Sequence, residues 1–206
     1  GNTNNVVKLV ANGVALATLN LGEMREFILT NPATITADKP IQVAQYMHGS
    51  RYDRVSDADP AMVIVPASEQ FTFDYTMPVQ AGFTSYLNLT VPTAALNSVR
   101  LAGVLVAATN FTAIGASGYS YARLPVTAGA KRVTAAQPFG VFVYGFANNE
   151  GYGYAGGMDV GAIASINSVA VAPTGVSRAF GAQHLVTATV LNGATPVPGA
   201  RVDFVV

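Results

Sequence analysis

The chain has 206 residues, of which 50% are apolar and only 11% charged, and its formal net charge is zero. With Lys131-Arg132 as its one adjacent basic pair, it lacks the clustered Lys and Arg that nucleic-acid binding needs to neutralise phosphates and release counterions. The absence of cysteine removes disulfides, Cys-ligated zinc, iron–sulfur clusters and thiol nucleophiles together.

So little charge leaves copies poorly separated in solution, which predicts packing against itself or against adjacent β modules. The opening Gly1 to Asn5 has neither a basic nor an apolar leader segment, so any export signal is expected to have been removed or to lie outside this sequence. The longest uncharged runs, Tyr75 to Val99 and Leu101 to Ala122, are interrupted by Pro, Gly, Asn, Ser and Thr. They read as strands and turns, not as a membrane helix of about 20 apolar residues.

Period-two alternation recurs along the chain, in "TSYLNLTV" (Thr84 to Val91), "LVTATV" (Leu185 to Val190) and "RVDFVV" (Arg201 to Val206). No stretch carries a helical stripe. Turn chemistry separates the strands at Asn12-Gly13, Asn31-Pro32, Gly82, Gly103, Gly115 to Gly118, Gly156-Gly157 and Asn192-Gly193. Many short strands between such turns predict an all-β fold of antiparallel sandwich units, with a propeller-like blade arrangement as the alternative.

A kernel occurs twice. "ITADKPIQVAQY" (Ile35 to Tyr46) matches "VTAAQPFGVFVY" (Val133 to Tyr144) at Thr-Ala, Pro, Val and Tyr. This predicts a duplicated β domain over residues 1–162, with units of about 1–75 and 76–162. Because proline fixes φ and donates no hydrogen bond, Pro40 and Pro138 are expected at the first position of a strand or on an edge.

Between the two kernels lies "HGSRYDRVSDADPAM" (His48 to Met62), where scarce charge gathers. Asp53, Asp57 and Asp59 with nearby carbonyls would suit calcium, a hard cation that takes six to eight oxygens. Their spacing departs from the EF-hand loop, and Arg51 and Arg54 offset the field such an ion needs. The competing reading is a solvated turn, with Asp57 or Asp59 capping backbone amides and Pro60 starting the next strand.

Chemistry is sparse elsewhere. His48 and His184 are the histidines, no Gly-x-Ser-x-Gly elbow frames a serine, and "GASGYS" (Gly115 to Ser120) reads as a turn. Glu23 with Glu26, and Glu69 with Asp74, are neighbours in sequence, with nothing to set them apart from solvated carboxylates. Phosphate-loop spacing is missing. No catalytic residue, no cofactor and no enzyme is predicted.

The second kernel leads into "YGFANNEGYGYAGG" (Tyr144 to Gly157). Tyr144, Tyr152 and Tyr154 on a Gly-rich loop are candidates for contact with a sugar or a second subunit, since Tyr is enriched at interfaces. The alternative is a Tyr-lined hairpin packed on its own sheet. "NLT" at Asn88 and "NFT" at Asn110 match the glycosylation acceptor pattern.

Past about residue 165 the texture changes, and residues 163–206 read as a separate module. Its last strand, "RVDFVV", carries Phe204 as a further candidate contact, because an open strand edge is a template for another chain.

Two resemblances add to this reading. From Leu9 to Gly157 the chain resembles the IgG Fc-binding-protein type domain, through "ADKPIQVAQY", "DPAMVIVPASEQF", "PFGVFVYGF" and "YGYAGG". That resemblance implies an extracellular, non-enzymatic β domain of the kind found in bacterial secreted and surface proteins; it does not imply antibody binding. "HLVTATVLNGATPVPGARVDFVV" (His184 to Val206) is similar to a bacterial Ig-like domain of the invasin and intimin type, and about 40 residues supply only part of such a sandwich. Either further strands come after Val206 or a neighbouring subunit donates them. Together these predict a secreted or surface-attached structural or adhesive protein that associates with itself or with neighbouring modules, with strand addition into a filament as one route. A binding module for glycans or a host protein, using the Tyr-Gly loop, is the alternative.

Overall fold

The computed structural model describes residues 5–9, 14–54, 57–160, 168–172, 187–192 and 195–196, with the side chains of 16–52, 54 and 57–160. The chain divides into two compact units, Gly1–Asp159 and Val160–Val206. The fold is all-β, as the alternation predicts. No helix among the described residues is long and apolar enough to cross a membrane.

In the first unit, β1 (Asn5–Leu9), β2 (Val14–Leu19) and β3 (Ile35–Ala37) form an antiparallel sheet in the order β2-β1-β3. A separate hairpin comes next: β4 (Val43–Tyr46) pairs with β5 (Met62–Val65), Tyr46 opposite Met62. Between them α1 (Ser50–Asp53) ends where Arg54 adopts a left-handed conformation, φ 55°. The charged stretch is therefore the loop of this hairpin.

The main sheet system comprises β6 (Thr72–Val79), β7 (Thr84–Pro92), β8 (Arg100–Leu101), β9 (Val104–Leu105), β10 (Thr112–Ala113), β11 (Tyr119–Val126), β12 (Gly129–Ala147) and β13 (Glu150–Ala155). Its centre is β7, flanked by β11 and β12. The alternation of "TSYLNLTV" is realised residue by residue: Ser85, Leu87, Leu89 and Val91 are buried, and Tyr86, Asn88 and Thr90 face outward, half-buried. Burying each of those aliphatic side chains contributes about 1.5–3 kcal/mol. Tyr75, Met77 and Val79 of β6, Ala122 of β11, and Val133, Phe139, Val141 and Val143 of β12 complete the core.

β12 runs for 19 residues because it serves two sets of neighbours. Its first part, Gly129 to Thr134, pairs with β6 and β8; its last part, Gly140 to Ala147, pairs with β7 and β13. The register breaks between Thr134 and Phe139. Pro138, expected at the first position of a strand or on an edge, lies inside β12 in this break. A bulge, like an edge, is a place inside a strand where a missing N–H costs no ladder bond. The break is tied down locally: Ala136 N–H donates to Ser98 Oγ at 3.0 Å, and Tyr75 Oη donates to the Phe139 carbonyl at 2.6 Å. Pro40 lies outside any strand, three residues before β4, and β6 runs through residues 75 and 76 without interruption.

In the second unit β14 (Ser168–Ala172), β15 (Thr187–Asn192) and β16 (Thr195–Pro196) form an antiparallel sheet in that order. β15 contains most of the predicted "LVTATV" strand. His184 and Phe204 lie outside the described residues.

Candidate functional site

The outward face of β7, β11 and β12 is unusually aromatic. In an antiparallel sheet, directly opposed residues share a face. Tyr144 lies opposite Tyr86, Phe142 opposite Asn88, and Arg123 also opposite Asn88 from the other side. Tyr86 and Tyr144 stack with centroids 5.6 Å apart and planes at 25°, and Phe146 meets Tyr144 edge-on at 5.7 Å. The Arg123 guanidinium lies 4.2 Å above the Tyr86 ring and 5.7 Å from that of Tyr144, a cation–π arrangement. Tyr144 Oη donates to Asn88 Oδ1 at 3.1 Å. Burial raises the Tyr144 phenol above its ordinary range, partly opposed by Arg123.

The β4–β5 hairpin covers one side of this face. Its fit depends on glycines of β13. A Cβ at Gly151 would come within 2.5 Å of the Asp59 carbonyl oxygen, and one at Gly153 within 3.1 Å of Val63 Cγ2. Between hairpin and sheet remains a cleft of about 190 Å³ lined by Gln45, Met47, Val63, Asn88, Phe142, Tyr144 and Phe146. Phe71 closes another part of the face, its ring on Gly140 and edge-on to Tyr119 at 6.5 Å.

The sequence-selected residues separate across this sheet. Tyr144 is in the cleft. Tyr152 and Tyr154 alternate with the glycines and point the other way, against the core. Tyr152 Oη and Ser85 Oγ share a hydrogen bond of 2.8 Å, Tyr154 Oη donates to the Pro78 carbonyl, and the two rings stack at 6.2 Å. Burial raises the Tyr154 phenol, and the neighbouring Tyr152 hydroxyl adds to the effect.

In the charged loop, Asp57 and Asp59 are exposed; Asp53 ends α1, and its side chain lies outside the described ones. His48 packs on Tyr52 with ring centroids 4.0 Å apart. Among the described residues no three His, Cys, Asp or Glu side chains converge as a metal site would require. This loop and the Tyr-Gly hairpin, which the repeat would place at equivalent corners of two units, touch each other where Asp59 lies on Gly151.

Tyr86, Arg123, Phe142 and Phe146 do not stand out in the sequence. The signal that marks them is parity. In "SYLN", "YAR" and "FVYGF" the positions alternating with buried residues carry rings and an arginine where a solvated face carries small polar groups. This arrangement offers stacking surfaces, amides and a guanidinium, with no nucleophile held by a base; it is suited to binding.

A family model described as IgGFc binding protein matches residues 2–145, a span that includes Tyr86, Asn88, Arg123, Phe142 and Tyr144. No curated protein and no solved structure matches the chain.

Proposed function

Starting from the fact that the chain belongs to the IgGFc-binding protein family, we propose that it is an extracellular, non-enzymatic module that holds a protein partner on the aromatic outer face of its main sheet. The family is one of extracellular binding domains, not of enzymes. The observation that carries the choice of surface is the cleft beside the Tyr86–Tyr144 stack, where Met47, Phe142 and Phe146 line a recess between two elements. Apolar pockets rimmed by amides and an arginine are where interface energy concentrates.

The Fc portion of IgG, named in the family description, is the first partner to test. The whole chain is immobilised, Fc is passed over it, and the experiment is repeated with Phe146→Ser and Gln45→Ala. Loss of binding in both variants, with unchanged melting temperature, supports the face. Undiminished Fc binding in both would place the contact elsewhere.

A second reading, association of copies of the chain, has its own observation. β9 is an edge strand whose Val104 is 71% and Leu105 48% exposed, and unpaired apolar edges recruit further strands. Sedimentation velocity over a range of concentrations tests it: oligomers that vanish in Leu105→Lys support it, and a monomer at all concentrations refutes it.

A further inference from the structure

With the aromatic face taken as the contact surface, a reading on which this proposal rests, the cleft and the arginine beside it define the chemistry of the occupant. Arg123 and Asn88 are directly opposed on neighbouring strands, so their side chains leave the same face of the sheet. Arg123 is exposed, and its contacts among the described residues are with the faces of Tyr86 and Tyr144. A guanidinium seated over a ring face spends none of its N–H groups on a hydrogen bond there, and those N–H groups form the fork that fits a carboxylate. Asn88 uses its Oδ1 to accept from Tyr144, which leaves its amide N–H groups as donors. Two donor groups therefore share this face, both beside Tyr144, with no acceptor for either among the described residues.

Arg132, on β12 of the same sheet system, behaves differently. It is closed by Asp74, with Nε 2.9 Å from Oδ1 and Nη2 2.5 Å from Oδ2. That fork is internally complete; the one at Arg123 is open. Tyr86 already carries the guanidinium on its face, which removes that ring as a stacking platform for a sugar.

We infer that the partner segment recognised here carries an Asp or Glu carboxylate that pairs with Arg123 and Asn88, next to an apolar side chain that enters the cleft lined by Met47, Phe142 and Phe146. The carboxylate supplies orientation and the apolar group most of the buried area, since an exposed charge pair is worth little alone. The occupant is an acidic peptide segment of a protein partner.

The test uses the whole chain, ¹⁵N-labelled, titrated with acetyl-Gly-Phe-Glu-Phe-Gly-amide and with the same peptide carrying Gln for Glu. The Glu peptide is expected to bind about threefold more tightly, as an exposed ion pair allows, to move the Arg123 Nε–H and Asn88 side-chain signals, and to weaken as salt is raised. Arg123→Gln should abolish the preference for Glu, and Arg123→Lys should keep part of it. Equal affinities with shifts at Phe142 and Phe146 in both titrations would overturn carboxylate recognition and leave the face as the contact. Shifts confined to other surfaces would overturn both. Absence of binding by either peptide, a preference that survives Arg123→Gln, or tighter binding of 3′-sialyllactose than of the Glu peptide would each overturn the acidic-peptide assignment.

Discussion

Gly151 lies against the backbone of Asp59 so closely that a Cβ at 151 would be 2.5 Å from the Asp59 carbonyl oxygen and 3.2 Å from its nitrogen. The contact joins the tip of the β12–β13 hairpin to the loop of the β4–β5 hairpin. It forms one side of the support that holds the latter over the aromatic face. Backbone cannot rotate aside as a flexible side chain can.

Gly151→Ala is therefore expected to push the two hairpins apart. Overpacking of this kind costs typically about 1–3 kcal/mol, read as a lower urea midpoint at unchanged m-value. Partner binding should fall with it, because the cleft widens as the hairpin lifts. Gly82→Ala, where a Cβ would meet nothing but φ is +84°, provides the contrast: strain without displacement of the hairpin, and binding retained.

Tyr75 tests the junction in β12. Its hydroxyl accepts from Thr72 N–H at 2.9 Å and donates to the Phe139 carbonyl at 2.6 Å, and its ring meets Phe139 edge-on at 5.0 Å. Tyr75→Phe keeps the ring and leaves a buried carbonyl without its donor. That unsatisfied group is expected to cost about 1–3 kcal/mol. Chemical denaturation measures it, and a change below about 0.5 kcal/mol would show that the break in register is held by other contacts.

The parts of this fold that depend on local chemistry were legible in the sequence, and those that depend on pairing were not. "TSYLNLTV" shows which residues of β7 face inward, because side-chain parity is a property of a single strand. It says nothing of which strand lies beside it. Tyr86, Arg123 and Tyr144 come together from three strands through the registers of β7 with β11 and β12. Each alone reads as an ordinary half-exposed residue. Tyr152 and Tyr154 illustrate the opposite limit: a Tyr-Gly repeat suits either a partner contact or a hairpin packed on its own sheet, and which of the two alternating faces carries the rings depends on what packs behind the strand. Pro138 shows a third. Proline predicts a position where no N–H is needed, and both a strand start and a bulge satisfy that requirement.

Asp74 and Arg132 make an exposed fork between β6 and β12, reaching diagonally across the buried Tyr75–Val133 pair, with Asp74 itself opposite Thr134 and Arg132 opposite Thr76. Hydrogen bonding to Arg132, opposed by some desolvation and helped by its charge, holds the Asp74 carboxyl below its ordinary range. A depressed folded value means the carboxylate stabilises the fold above the unfolded value of about 3.9, and that contribution is lost as pH falls through the folded value. Titration by NMR should find Asp74 below the ordinary aspartate value, moving back toward it in high salt and in Arg132→Gln. A normal midpoint at low salt would contradict the fork.

Tyr144 joins the fold's alkaline behaviour to the candidate site. Burial disfavours the phenolate and raises its folded value, while the Arg123 charge pulls the other way. A raised folded value means that its contribution to stability is fully present below the unfolded tyrosine value of about 10 and is lost as pH rises through the folded value. The difference in absorbance at 295 nm between the wild-type chain and Tyr144→Phe should therefore report one phenol that ionises late. Arg123→Gln removes the cation that opposes this shift and should delay ionisation further, whereas Asn88→Ala, which removes the acceptor of the Tyr144 hydroxyl, tests the hydrogen bond separately. If Arg123→Gln instead left the Tyr144 midpoint unchanged, the guanidinium would not rest on these rings in solution, and the open donor pair on which acidic-peptide recognition depends would lose its support.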